Sequence, residues 1–312
     1  MSAAPEMVGS GDPAQDTGPA PTSAAGAADL AVIVPHYNDP ARLELCLKTL
    51  APQIADRPGT DCVVVDNASP CDLAPLRAAF PAVRWASEPR KGAAAARNRG
   101  VTETSAPYLA FLDCDCIPAA DWVATAARLA GTADILGGRI ETFDETSPPK
   151  SGAEAVETVF AFHQKTYIEK EGFSVTANLV TSRAVFEHVG PLKSGLSEDM
   201  DWCFRAGALG YRIVYADDLR VAHPTRRDWP ALLKKLRRTN DERFYLYGTG
   251  ARARVLWALR AVAVFAMAFL QAPKLFRDPR LAGGERWRGA VTLIASRGAR
   301  ATWMMQQAFL SR

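Results

Sequence analysis

Residues 107–118 read PYLAFLDCDCIP, and this stretch decides the fold. The apolar run 108–112 has the composition of a buried strand, and two carboxylates and two thiols alternate directly behind it. On an extended chain, residues two apart share a side, so Asp113 and Asp115 are expected on one side and Cys114 and Cys116 on the other. Paired carboxylates are hard oxygen ligands for Mg²⁺ or Mn²⁺, ions that keep waters and bridge to substrate phosphates. Paired thiols would instead mark a soft-metal or redox site. Such a site would need two more soft ligands, and the chain offers only distant single residues such as Cys203. The aspartates are therefore taken to carry the chemistry, and the cysteines to fill the space behind them.

Working outward, the run LAVIVP from Leu30 predicts a strand and PARLELCLKTL a helix. DCVVVDN (61–67), DLAPLRAAF (72–80), AVRWAS (82–87) and GAAAARNRGVTET (92–104) repeat that alternation, and AADWVATAARLA (119–130) follows the acidic segment as another helix. Strands separated by single helices predict a mostly parallel sheet covered on both faces, with ligands bound beyond the carboxyl ends of the strands. The residues at those ends are His36, Tyr37 and Asn38, then Asp66 and Asn67, then Asp113 and Asp115. No G-x-G-x-x-G joins the first strand to its helix and no Walker-type G-K-[ST] occurs, which lowers the standing of dinucleotide dehydrogenases and P-loop enzymes. Farther on, DILGGRIETF and TANLVTSR predict strands, EAVETVFAFHQKTYIEK one helix, EDMDWCFRAGALG a short helix and YRIVYADDLRVAH an extended pair.

Composition sets the outer limits. The chain has 312 residues, 48% of them hydrophobic, enough for a full core. Residues 1–29 are almost all Ala, Pro, Gly, Ser and Thr, so they are expected to stay unfolded; they lack the pattern of a secretory leader, and a cytosolic chain is expected. Six scattered cysteines do not make a disulfide framework. Net charge is +3, yet residues 251–312 hold 11 Lys and Arg against two Asp and Glu, a basic tail on an acidic body. That charge is interleaved with apolar stretches and matches no nucleic-acid motif, so nucleic acid is not expected as a partner.

With the strand-end D-x-D in place, the chain resembles the family 2 glycosyltransferases of GT-A fold. The resemblance runs from about Leu30 to about His223 through AVIVPHYN, VVVDNAS, RKGAAAARNRG, YLAFLDCDCIP, GLSEDMDWCFRAGALGYRI and VAHPTR, in the family's order. It implies a Rossmann-like, mostly parallel sheet with helices on both faces over residues 30–227; beyond it, the basic, apolar pattern of 228–312 predicts a helical region. It also implies an inverting transfer of sugar from a nucleotide-diphosphate donor to a glycan or lipid-linked acceptor. Pro35, Tyr37 and Asn38 would open the donor pocket, and Asp66 would contact base or ribose. Lys91, Arg97 and Asn98 would lie beside the nucleotide. Asp113 would meet the ribose or the metal, Asp115 would bind Mn²⁺ or Mg²⁺, and His223 would complete the metal shell. Asp199 would be the general base, with Glu198 and Trp202 on the acceptor side.

Blander readings stand beside these. Asp66 and Asn67 also suit a helix cap, Glu198 and Asp199 suit the first turn of any helix, and Asp201 competes for the role of base. His36, His163 and His188 are taken as structural. A nucleotidyltransferase, or a non-catalytic nucleotide-sugar-binding component of a polysaccharide assembly, are the rival functions. Residues 255–273 are marginal for a full membrane crossing but fit an interfacial helix flanked by Arg252, Arg254, Lys274, Arg277 and Arg280, which predicts a peripheral position on the inner face of the cell membrane; a core helix with a basic rim is the alternative.

Overall fold

The fold is described from a computed structural model over residues 30–310; the segment 1–29, expected to be unfolded, lies outside the described residues. Strands β1 (Leu30–His36), β2 (Thr60–Asp66), β3 (Arg84–Ser87) and β4 (Tyr108–Leu112) alternate with helices α1 (Pro40–Ala55), α2 (Ala74–Ala79) and α3 (Ala93–Thr102). All seven residues of β1 are buried, as a strand covered on both faces requires. Helix α1 starts where Asp39 accepts a hydrogen bond from the Arg42 N–H at 3.3 Å, with Pro40 in the first turn. The alanines of α3 have a packing reason: a Cβ on Gly100 would collide with the Ile33 side chain, so only small residues let this helix lie close to β1.

The second half holds β5 (Ile117–Pro118), α4 (Trp122–Leu129), β6 (Ile135–Phe143), α5 (Gly152–Phe160), the short α6 (Gln164–Thr166), a π-helical turn (Tyr167–Glu171), β7 (Asn178–Ser182), α7 (Arg183–Val189), α8 (Glu198–Ala208) and β8 (Ile213–Pro224). The eight strands form one sheet in the order β3-β2-β1-β4-β7-β6-β8-β5. Its first four members are parallel, but β7 returns antiparallel to both β4 and β6, so parallel character is confined to the first half and the β6–β8 pair. Helices α1, α2 and α4 cover one face, over Val32, Val34 and Leu112; α3, α7 and α8 cover the other, over Ile33, Val65 and Phe111.

Two expectations change and one strand is added. The single helix predicted through EAVETVFAFHQKTYIEK breaks after α5, because Phe162 takes a left-handed φ of 53° and the chain re-enters as α6 and the π turn. The extended pair predicted for YRIVYADDLRVAH is one strand, β8, running parallel to β6 with a register shift at Gly138 and Arg139. The two-residue β5 shows no periodicity and exists because β8 pairs with it.

Beyond β8, α9 (Trp229–Tyr247), α10 (Ala251–Arg277) and α11 (Gly283–Leu310) complete the described chain. Helices α10 and α11 form a hairpin. It is fixed to the body through α5, where Ala155 and Val159 meet Leu275 and Leu293, and through α9, where Phe244 meets Trp257 and Met304.

Candidate active site

The adjacent parallel strands β2, β1 and β4 deliver their carboxyl ends to one edge. Pro35 lies inside β1 and is buried, so it shapes this edge from within and offers no surface to a ligand, contrary to expectation. Tyr37 is 54% exposed. Asn38 is exposed with φ of 50° and donates its N–H to Ser69 Oγ at 2.8 Å. His36 accepts the Asp39 N–H on Nε2 at 3.1 Å, which leaves Nδ1–H to donate to Asp66 Oδ1 at 3.2 Å. This buried histidine, read as structural, therefore aims Asp66. Asn67 is not a helix cap. Its Nδ2 donates to Glu88 O at 2.9 Å and Arg90 O at 2.7 Å, and its Oδ1 accepts from the Gly92 N–H at 2.7 Å, cinching the loop that carries exposed Lys91.

After Leu112 the chain stops being extended: the Cys116 N–H donates to Asp113 O at 3.0 Å and closes a turn. The period-two argument fails here, and the two aspartates diverge. Asp113 goes to Arg97, whose Nη2 donates to its Oδ1 at 2.5 Å while Nη1 donates to Glu198 Oε1 at 2.9 Å. Arg97 is 4% exposed; burial works against its charge, but Asp113 and Glu198 outweigh it and hold the guanidinium protonated. Asn98 points elsewhere. Its amide donates to Leu192 O at 2.8 Å and accepts from the Leu192 N–H at 3.0 Å, so it ties α3 to the segment leading into α8 and does not face a nucleotide.

Asp115 meets His223, because β5 pairs with the end of β8 and sets Ile117 opposite Ala222, one residue before it. His223 Nδ1–H donates to Pro224 O at 2.8 Å, which leaves Nε2 to face Asp115 Oδ2 at 3.2 Å, and the Phe162 ring packs on the imidazole at 4.4 Å. Burial opposes ionisation of Asp115, yet His223, Arg226 and Arg42 hold its carboxyl well below the usual carboxylate range. The ligand atoms of Asp115, Cys116 and His223 lie within 4.8 Å of one another. Cys116, predicted behind the carboxylates, is thus beside one of them. This donor set fits a divalent cation: a carboxylate oxygen suits Mn²⁺ or Mg²⁺ and an oriented imidazole nitrogen favours Mn²⁺, the softer of the two, while burial, with Asp115 and Asp113 near, pushes the Cys116 thiol well up and keeps it neutral.

On the other side of Arg97, α8 opens with the acids. Asp199 accepts from Ser197 Oγ–H at 2.9 Å and from the Met200 N–H at 2.8 Å; burial, and then the neighbouring Glu198, raise its pKa and make it a stronger base than an exposed aspartate. Asp201 is occupied by Arg205 at 2.9 Å, which removes it as a rival. Trp202, which could have been a packing aromatic or an acceptor-side ring, is 1% exposed, stacked on Phe186 at 5.6 Å and donating to Gly190 O at 3.0 Å; it belongs to the core. Two contributors escaped sequence reasoning. Arg42 clasps Glu145 with two bonds, at 2.8 and 2.6 Å, near Asp115. Glu242 of α9 lies in the field of Glu198 and Asp199, and burial with those charges pushes it up to about 7 against the pull of Arg238.

The family described as Glycosyl transferase family 2 matches residues 31–190. A glycosyltransferase from Haloferax volcanii, AglE, is 31% identical over 217 residues, covering 66% of this chain and 70% of that protein. The pre-mycofactocin glycosyltransferase of Mycobacterium tuberculosis is 27% identical over 68% of this chain, which spans 47% of that relative's length. Among solved structures, the mannosyltransferase PcManGT of Pyrobaculum calidifontis, in complex with GDP-Man and Mn²⁺, shares the fold with a TM-score of 0.52 at 18% identity, over 95% of this chain and 76% of that one.

Proposed function

The chain belongs to glycosyl transferase family 2 and is a glycosyltransferase; from that premise we propose that it moves a sugar from a nucleoside-diphosphate donor to a hydroxyl acceptor with inversion. One observation carries the reading. A single buried guanidinium, Arg97, grips Asp113 at the donor end of β4 and Glu198 at the head of α8, so donor-side and acceptor-side carboxylates share one rigid node.

Residues 30–227 form the transferase unit. Asp66, aimed by His36, contacts the nucleoside, with Tyr37 and Asn38 beside it and Lys91 reaching the diphosphate from its tethered loop. Asp115 and His223 would hold Mn²⁺ or Mg²⁺, with Asp113, turned to Arg97, on the ribose side; such an ion would offset the negative charge that gathers on the leaving diphosphate. Asp199 takes the acceptor hydroxyl proton as that oxygen bonds to the anomeric carbon. The bond from that carbon to the diphosphate oxygen breaks on the opposite side, so the configuration inverts.

Residues 228–312 place the enzyme peripherally on the inner face of the cytoplasmic membrane, where a lipid-linked or envelope-glycan acceptor would be met. Helix α10 is long and apolar enough to cross a membrane and buries only Trp257, Ala261, Ala268 and Leu275, which argues against a core helix and for a lipid-facing one.

The test is a donor panel with Mn²⁺ or Mg²⁺, scoring nucleoside diphosphate release with candidate acceptors and the anomeric configuration of the product by NMR. Asp199→Asn should lower turnover on the order of 10²–10⁴-fold while leaving donor affinity intact. Wild-type turnover in that variant removes the base, and a retained configuration removes inversion.

A further inference from the structure

Helix α9 forms a wall beside the cleft. Near its start Lys235 Nζ sits over the Phe162 ring at 4.9 Å, and that ring packs on His223, so this end of the helix adjoins the candidate cation site. The segment 194–199, which leads into α8, links the donor side to the base. A Cβ on Gly92, next to Lys91, would stand 3.4 Å from Ser194 Oγ, and farther along Ser197 Oγ–H donates to Asp199 at 2.9 Å. Between this segment and α9 is a cavity of about 430 Å³, lined by Gly195 on one side and by Lys234, Arg237, Arg238, Asp241, Glu242 and Tyr245 on the other. The helical residues recur at steps of three and four and so share one face. The cavity lies wholly outside residues 31–190, the part that matches the family, so its lining is free to set this chain's own choice of acceptor.

The make-up of that face points to a class of occupant. Arg237 Nε pairs with Asp241 at 3.4 Å and Arg238 Nη1 with Glu242 at 3.7 Å, so donors and acceptors alternate along the helix. Helix α11 braces them: Gln307 Nε2 donates to Asp241 Oδ1 at 2.6 Å, and the Arg237 guanidinium lies 5.2 Å from the Trp303 ring. Tyr245 is 59% exposed, its ring set edge to face with buried Phe244 at 5.6 Å. An exposed aromatic ring beside paired guanidinium and carboxylate groups suits a sugar. The ring can take the C–H side of a pyranose, and hydroxyls, which both donate and accept, match the mixed pairs. A phosphoryl head fits less well, because two carboxylates would repel it and only Lys234 of these cations lacks a carboxylate partner among the described residues. A phosphate oxygen is also ionised at neutral pH and needs no base, whereas a sugar hydroxyl must give up a proton, and Asp199 stands at the end of the same segment.

We propose that this cavity holds the terminal sugar of the acceptor, with Tyr245 stacked on its ring and Arg238 and Glu242 bonding its hydroxyls, so that the enzyme extends an existing glycan and does not prime a lipid phosphate. The acceptor role rests on the transferase reading above; the binding of a sugar at Tyr245 does not.

The experiment is saturation-transfer NMR on the full chain with UDP or GDP and Mn²⁺ present, using methyl β-D-glucoside, methyl β-D-galactoside and methyl α-D-mannoside as probes and citronellyl phosphate as the rival. Wild type should bind at least one glycoside, and Tyr245→Ala and Arg238→Gln should each weaken that binding about tenfold or more. Both side chains are exposed, so the melting temperatures of these variants should match wild type, which separates site loss from misfolding. UDP and GDP binding with Mn²⁺ should be the same in wild type and both variants. No glycoside bound by wild type, or equal affinity in the variants, overturns the proposal. So does citronellyl phosphate bound in place of the glycosides and lost in Lys234→Ala, which makes the occupant an anion. If the glycosides bind with these losses while neither nucleotide binds, the transferase reading falls and the sugar site stands.

Discussion

At the residue scale, the candidate site is a balance of carboxylates around few cations. Arg97 pairs with Asp113 and Glu198 at once, which leaves one negative charge in excess, and removing one side of such a buried pair costs about 3–5 kcal/mol. Asp199 and Glu242 receive no such partner of their own in full measure and are both pushed up. For Glu242 the linkage has a definite sign. Its folded pKa, about 7, is above the ordinary 4.5, so between those values the folded chain holds a proton that the unfolded chain has lost. The stability from this group is present at low pH and disappears as pH rises through 7. Glu242→Gln should therefore melt higher than wild type at pH 8 and alike at pH 5. An equal difference at both values would show that Glu242 is not the titrating group. The acids of SEDMDW were legible as a motif, whereas Glu242 was not, because its effect depends on where α9 crosses α8. Asn98 and Trp202 show the converse: residue types that suit a ligand site, turned by packing toward a backbone and a core.

At the element scale, the β–α alternation up to β4 was legible because each buried strand is a continuous apolar run and each helix has its own period. Past β4 the sheet departs from that rule. Strand β6 shifts register at Gly138 and Arg139, where Asn178 Nδ2 bonds the carbonyls of Arg139 at 3.0 Å and Leu219 at 2.8 Å. A Cβ on Gly138 would run into both the Asn178 amide and the Leu219 carbonyl, and the second is backbone that cannot rotate away. Gly138→Ala should lose roughly 1–3 kcal/mol, read as a lower urea midpoint; an unchanged midpoint would mean that β6 and β8 can separate freely. Strand β8 also pairs with β5, which brings His223 to Asp115, so the strain of a mismatched β6–β8 register would reach those two side chains.

At the scale of the whole molecule, the hairpin of α10 and α11 is held to the body by its inner face and turns an apolar face outward, with Leu259 at 61% and Val262 at 58% exposure. The flanking arginines suit anionic headgroups. Leu259→Glu/Val262→Glu should cut sedimentation with phosphatidylglycerol vesicles by about tenfold or more, since carboxylates placed on that face must be dehydrated or lift the helix away. Equal sedimentation of variant and wild type would remove the membrane reading of this face.

By itself, the sequence determined the doubly covered sheet, the acidic strand ends and the family, because these rest on local periodicity and on motifs a few residues long. Only the tertiary structure decided which of those groups meet: that Asp113 and Asp115 part company, that Cys116 joins Asp115 and His223, and that Arg97 reaches both Asp113 and Glu198. Such encounters depend on strand pairing and helix crossing between residues far apart in the chain, and no local spacing encodes them.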